Sequence, residues 1–310
     1  MNSEYGQLSR RKFMQALALI ASAAGGLPLA AFSSVPMLKK KIPSSGEKIP
    51  VIGMGSSRTF DVGDSQEARV NLTKVLQTFF DLGGTVIDTS PMYGSSEQVL
   101  GDLLVNVKNK QSLFMATKVW TQGREEGIAQ MQQSMALLRR PVIDLIQIHN
   151  LLDWEVHWIT LKEWKQQGKV RYIGITTHRG YDHDQLAYVM ENYPIDFIQF
   201  SYSIANRKAE QRILPLAAER GIATMINRPF QRGDLFRSVK GKELPAWAAE
   251  FDCNSWGQFF LKFVVSHPAV TCSIPATSKV HHMQDNMGAG LGRMPNQQQR
   301  QKMFDYFESL

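Results

Sequence analysis

The stretch VIDTSPMYGSSE, residues 86–97, carries the reading of the fold. Val86 and Ile87 are apolar and β-branched, as a strand buried on both faces requires. The strand then stops on the carboxylate of Asp88. Pro91 and Gly94 mark a turn around Met92 and Tyr93, and Ser95-Ser96-Glu97 opens a helix. Strand, loop and helix follow one another closely enough to form one βα unit.

The unit repeats. Apolar runs of strand length stand at VIGMGS (51–56), FMATKV (114–119), LIQIHN (145–150), YIGIT (172–176), FIQFSY (197–202), TMINR (224–228) and CSIPA (272–276). Together with VIDTS (86–90) they make eight, most of them starting roughly 25–35 residues apart, the size of a βαβ unit. Helical stripes lie between them. Leu72, Val75, Leu76, Phe79 and Phe80 fall on one face, as do Trp256, Phe259, Phe260, Phe263 and Val264, and more loosely Ile128, Met131, Met135 and Leu138. These stripes are core. The pattern predicts an α/β chain folded as a (β/α)8 TIM barrel, one domain over residues 37–310. A doubly wound open sheet is the runner-up, but the nearest thing to its glycine fingerprint, Gly53-Met54-Gly55-Ser56-Ser57-Arg58, lacks the third glycine. Residues 229–254 read as a long loop, and Met303, Phe304 and Phe307 mark an extra helix laid against the outside.

In a parallel barrel the carboxyl ends of the strands face the loops that build the site. Three strands end on costly polar side chains there, Asp88, Lys118 and His149, and Tyr93 hangs in the loop above Asp88. Singly, each has an ordinary structural role: a cap, a solvated strand end, a satisfied core histidine, a packed ring. Together they point to chemistry. A buried lysine and aspartate would pair. The ammonium beside a phenol would lower the phenol's pKa from about 10, preparing Tyr93 to give a proton.

VIDTSPMYGSSE, Ala116-Thr117-Lys118, LIQIHN and GKVRYIGIT (168–176) resemble the aldo-keto reductase superfamily, over about residues 43–290 and in family order. The resemblance implies a (β/α)8 barrel that binds a nicotinamide dinucleotide and passes hydride between it and a carbonyl or alcohol. It makes Tyr93 the general acid, Lys118 and Asp88 the groups that tune it, and His149 the group that orients the carbonyl. It requires no metal. Thr176, Thr177 and Gln199 fall at the carboxamide contacts, and Gly55 and Ser56 would admit the nicotinamide side. Arg228, Phe230, Arg232 and Gly233 lie in the segment expected over the pyrophosphate. Thr277, Ser278, Lys279 and His282 fall at the adenosine phosphate, and Asp285 and Asn286 where the adenine is read. Trp120 would wall the substrate pocket. Asn227 departs from the pattern, standing where most relatives place an aromatic. The resemblance implies NADP(H) as the preferred cofactor, while His282 and Ala276, standing where many NADPH-specific members have arginine and some have lysine, keep NAD(H) as the alternative. The rival function is a catalytically idle NADP-binding barrel that senses redox state or serves as a binding subunit. A pure binder has no use for Lys118 and Asp88 beside a phenol.

The first residues belong to another account. Ser9-Arg10-Arg11-Lys12-Phe13-Met14 precedes a weakly apolar, Ala-rich run, a layout that resembles the twin-arginine export signal. Residues 1–36 are therefore read as a signal that engages the twin-arginine machinery and delivers the folded chain to the periplasm. Left uncleaved, residues 13–32 would anchor it in the membrane. The remaining composition is globular: 310 residues, 43% hydrophobic, 20% charged, net charge +7. No run of Lys and Arg concentrates that charge, which argues against nucleic acid as a partner. Cys253 and Cys272, the only two cysteines, make neither a disulfide framework nor a zinc set.

Overall fold

The computed structural model describes residues 36–177 and 183–310. An antiparallel hairpin comes first, β1 (Lys39–Lys41) with β2 (Lys48–Pro50). Eight parallel strands follow in sequence order as neighbours: β3 (Met54–Gly55), β4 (Val86–Asp88), β5 (Phe114–Val119), β6 (Ile143–His149), β7 (Val170–Thr176), β8 (Phe197–Ser201), β9 (Ala223–Asn227) and β10 (Cys272–Ser273). The sheet closes on itself. Ile52 bridges Ser273, Gly53 N–H donates to the Ser273 carbonyl at 2.8 Å, and Ser273 N–H donates to the Val51 carbonyl at 2.8 Å. This is the (β/α)8 barrel expected from the repeat.

Side chains alternate in and out along each strand. The outward residues pack against the surrounding helices in one continuous core. The inward residues form a separate cluster that includes Val86, Phe114, Ala116, Leu145, Phe197 and Met225, and Ile42 and Ile49 of the hairpin segment join it. Along each strand the inward face changes character. Phe114 and Ala116 give way to Lys118, Leu145 to Gln147 and His149, and Phe197 to Gln199 and Ser201. Because the strands are parallel, every polar end lies at the same mouth of the barrel. The fold thus places the site before any loop does.

The helices obey their stripes. α1 (Gln66–Asp81) starts at Ser65, whose hydroxyl accepts from Ala68 N–H, and buries Leu72, Val75, Leu76, Phe79 and Phe80. α2 (Ser96–Leu104) follows the Tyr93 loop, α3 is Arg124–Leu137 and α4 is Trp154–Gln166. α5 (His183–Asn192), α6 (Ile213–Arg220), α7 (Asp234–Ser238), α8 (Trp256–Val265) and α9 (Val280–Gly288) complete the ring. In α8 the stripe is buried except Trp256, which is half-buried. The tail forms α10 (Gln297–Glu308), started by a reciprocal cap in which Asn296 and Gln299 bond each other's backbone N–H. Residues 229–254 are more ordered than a loop: α7 and two 3-10 turns, Gln231–Gly233 and Ala246–Phe251, lie within them. Cys253 and Cys272 are buried as free thiols.

The export-signal reading of residues 1–36 and the anchoring reading of 13–32 fall outside the described residues, Pro36 apart. Among the described residues no helix is long and apolar enough to cross a membrane.

Phe79 is fully buried in the outer core. Its replacement by Ala should destabilise the chain by about 3–5 kcal/mol, read as a lower urea midpoint with an unchanged slope.

Candidate active site

Asp88 and Lys118 can meet because their strands are neighbours: Asp88 lies opposite Ala116 in register, and Lys118, opposite Gln147, is the next inward residue along that strand. Lys118 is fully buried and Asp88 is 2% exposed. Nζ of Lys118 donates to Oδ2 of Asp88 at 2.7 Å and to the Thr89 carbonyl at 2.7 Å. Asp88 Oδ1 accepts from Nε2 of Gln147 at 3.0 Å and from Nε2 of Gln199 at 2.9 Å. Removing either ion from water costs several kcal/mol, and only pairing with full hydrogen bonding offsets it. Both carboxylate oxygens are supplied here. Desolvation pulls the Lys118 ammonium down, but the charges of Asp88 and Tyr93 and its hydrogen bonds to both push it further up, so it stays above the ordinary lysine value.

Tyr93 is held over this pair. The Lys118 ammonium lies 5.1 Å from the centre of its ring. Gly94 takes φ +57°, a left-handed turn that leaves no room for a side chain beside Asp61, and Ser95 N–H and Oγ fasten that turn to Asp61 at 2.9 Å each. Burial raises the Tyr93 phenol above its ordinary value. Lys118 and, more weakly, Arg228 pull it down, while Asp88 pushes it up. The expectation that Lys118 would bring the phenol below its ordinary value is therefore corrected: desolvation outweighs the neighbouring cation. A phenol so placed keeps its proton through neutral pH and can donate it.

The His149 ring stands edge-on to Tyr93, centroids 6.2 Å apart at 88°. Its Nδ1 lies 3.2 Å from Ser90 Oγ, a contact that sequence reasoning missed. Ser90 sits between Asp88 and Tyr93, so a short segment of chain carries three of the groups at this point. Behind the site, the buried Glu97 accepts from Thr117 at 2.5 Å and from Ser134 at 2.9 Å. Burial lifts its carboxyl above the usual range against those two bonds.

Asp88, Tyr93 and His149 line a cleft of about 690 Å³. Of the residues expected at a cofactor, Gly55, Ser56, Thr176, Gln199, Arg228, Phe230, Arg232 and Gly233 line it, with Asp88, Tyr93 and His149. Gly55 is pressed against the far wall, where an added Cβ would meet the Ile274 carbonyl at 2.9 Å. Lys118 and the buried Thr177 lie outside the lining. Trp120 also lies outside the lining, 41% exposed, its ring 6.3 Å from that of His149. Thr277, Ser278 and Lys279 precede α9 and His282, Asp285 and Asn286 lie on it, all outside the cleft lining, which reaches Ala276. Thr277 Oγ1 accepts from Lys279 N–H at 3.1 Å at the start of that helix. Asp285 accepts from Ser255 Oγ at 2.7 Å and Gln258 Nε2 at 3.0 Å, and Asn286 is buried. Burial and the neighbouring His281 and Lys279 lower the pKa of His282.

Asn227, the departure from the aromatic pattern, is hydrogen-bonded throughout. Nδ2 donates to the Thr177 carbonyl at 3.1 Å and to Gln199 Oε1 at 3.3 Å, and Oδ1 accepts from Ser201 Oγ at 2.6 Å. The cleft also takes in Arg58, Asn150 and Phe236, none of them singled out from sequence. Gln147 could have been: it lies two residues before His149, on the same inward face of an otherwise apolar strand. Among the described residues no group of His, Cys, Asp and Glu is arranged to hold a metal ion.

Residues 51–301 match the Aldo/keto reductase family. Methylglyoxal reductase YeaE of Escherichia coli (strain K12) is 27% identical over 258 residues, covering 81% of this chain and 89% of that protein. A solved aldo-keto reductase from Bacillus halodurans in its holo form superposes with a TM-score of 0.71 at 20% identity, over 87% of this chain and 96% of that one. One from Klebsiella pneumoniae in complex with NADPH gives 0.72 at 20% identity, with the same coverage of 87% and 96%.

Breaking the buried pair should be severe. Lys118→Met leaves Asp88 uncompensated and should destabilise by about 3–5 kcal/mol, with Asp88→Asn in the same chain restoring part of the loss. The pKa of Lys118 is raised on folding, so its contribution is complete below the ordinary lysine value and fades only as pH rises through the raised one. The difference in urea midpoint between wild type and Lys118→Met should therefore stay flat across neutral pH.

Proposed function

The chain belongs to the aldo/keto reductase family, and on that premise we propose that it is an NAD(P)H-dependent oxidoreductase acting on a small carbonyl or alcohol, with NADPH preferred. The observation that carries the proposal is the buried Asp88–Lys118 pair set under Tyr93 with His149 across from it. The residues of the cleft suit a nicotinamide dinucleotide. Thr176 Oγ1 and Ser56 Oγ are buried without a hydrogen-bond partner, a state that costs about 1–3 kcal/mol each and that a bound carboxamide would relieve. Arg228 and Arg232 bring positive charge to the same cleft. The NADPH complex of one relative and the name of another support the same reading.

When bound, the dinucleotide supplies or takes the hydride. The chain's own part is proton handling and orientation. In reduction, the Tyr93 hydroxyl gives its proton to the carbonyl oxygen. Lys118 stabilises the phenolate left behind, and Asp88 keeps Lys118 charged and in place. His149, opposite Tyr93, fixes the carbonyl oxygen between the two rings. Thr176, Thr177, Gln199, Gly55 and Ser56 would hold the nicotinamide end. Phe230, Arg232 and Gly233 would lie along the pyrophosphate. Thr277, Ser278, Lys279 and His282 would meet the adenosine phosphate, with Asp285 and Asn286 at the base and Trp120 at the substrate's entrance. Delivery to the periplasm is part of the proposal and rests on Ser9-Arg10-Arg11-Lys12-Phe13-Met14 alone.

The test is a panel of aldehydes, ketones and sugars with NADPH and with NADH, followed by the absorbance of the reduced cofactor. Tyr93→Phe should lower turnover by about 10²–10⁴-fold while cofactor affinity holds within about twofold. Unchanged turnover in that variant contradicts the assigned acid, and a wild-type chain that reduces no carbonyl with either cofactor contradicts the activity.

A further inference from the structure

The amides beneath the cleft all point one way. Ser201 Oγ donates to Asn227 Oδ1 at 2.6 Å, and Asn227 Nδ2 donates to Gln199 Oε1 at 3.3 Å. Gln199 Nε2 donates to Gln147 Oε1 at 3.1 Å and to Asp88 Oδ1 at 2.9 Å, and Gln147 Nε2 donates to the same Oδ1 at 3.0 Å. An ionised carboxylate only accepts, so turning either glutamine amide over would set oxygen lone pairs against Asp88. With Asn227 supplying the hydrogen at one end and Asp88 taking it at the other, the two glutamines have one satisfied orientation. Buried chains of this kind reinforce their own polarity.

The chain of amides ends where the proposed chemistry begins. Lys118 has three protons to give. Two go to Asp88 Oδ2 and the Thr89 carbonyl, and the third is left for the side of Tyr93, whose ring centre lies 5.1 Å from Nζ. That division requires Asp88 to meet Lys118 through one oxygen only. A carboxylate with both oxygens open to the ammonium would swing toward it and draw it off the phenol. The two amide donors on Oδ1 prevent this.

We propose that Gln147 is a positioning residue which, together with Gln199 and Asn227, locks the Asp88 carboxylate so that Lys118 faces Tyr93. The proposal rests on the reductase reading above. It also accounts for Asn227, because this chain carries the head of an amide chain where a stacking ring is usual. Gln147 is the member to test. It is fully buried, lies opposite Lys118 in register, and does not line the cleft, whereas Gln199 does. A change at Gln147 therefore touches neither substrate nor cofactor directly, and reaches the reaction through Asp88 or through Gln199, which the cofactor affinity reads separately.

Gln147→Met keeps the length of the side chain and removes its hydrogen bonds, and Gln147→Leu serves if that variant does not fold. Either should lower kcat for carbonyl reduction by about tenfold, the scale of one lost hydrogen bond to a charged group. Substrate KM and the cofactor Kd, read by fluorescence titration, should hold within about twofold. In the Asp88→Asn background the same change should add no further loss. Unchanged kcat, an equal loss in both backgrounds, or a matching loss of cofactor affinity would overturn the inference. Absence of any turnover in the wild-type chain faults the reductase reading instead. Urea unfolding of the four chains then decides the contact: non-additive destabilisation supports the coupling of Gln147 to Asp88, and additivity overturns it.

Discussion

An ammonium and a carboxylate shut inside a protein are tolerable only together, and the Asp88–Lys118 pair sets the terms for everything around it. Each ion would carry a desolvation penalty of several kcal/mol alone. The structure meets that penalty on every side. Thr89 offers its carbonyl to the cation, and Gln147 and Gln199 offer their amides to the anion. The phenol of Tyr93 closes the remaining face. The layer below is apolar, with Phe114, Leu145, Phe197 and Met225 filling the barrel and Ile42 and Ile49 beneath them. Water is kept from the pair except through the cleft.

The barrel makes this arrangement simple to specify. Parallel strands bring the same end of every strand to one mouth, so each strand needs only to change from apolar to polar along its inward face. Lys118, His149, Gln199 and Asn227 need no relationship in sequence beyond that. The outward faces meet the helices through stripes such as Leu72–Phe80 and are indifferent to the chemistry. Stability and site thus occupy opposite faces of the same strands, and Tyr93 is added from a loop whose turn is fixed by Gly94 and Asp61.

Much of this was legible in the residues. Eight strand–helix units at βαβ spacing point to the barrel, and strands that end on an acid, a lysine and a histidine point to its polar mouth. The stripes on α1 and α8 and the tail helix followed from spacing alone. What stayed hidden has physical reasons. The opening hairpin is Lys39–Lys41 paired with Lys48–Pro50, and three lysines followed by a proline-ended strand carry no apolar alternation. Ser90 is an ordinary loop residue until the fold brings His149 to it. Asn227 reads as a missing ring because its partners are remote in sequence, Gln199 on β8 and Thr177 just past the end of β7. The direction of the Tyr93 shift depends on desolvation, and sequence shows the neighbouring charge but not the depth of burial. The short helical turns within 229–254 include Arg232 in a left-handed conformation, which glycine and arginine content alone does not disclose.

The most direct test of the central claim, that Lys118 acts on Tyr93 from within the pair, is the pH dependence of alcohol oxidation, where the phenolate is the working form. Lys118 pulls the phenol's pKa down against burial, so removing its charge should raise that pKa. The rising limb of the rate should therefore move to higher pH in Lys118→Met than in the wild-type chain. A limb at the same pH in both would contradict the account.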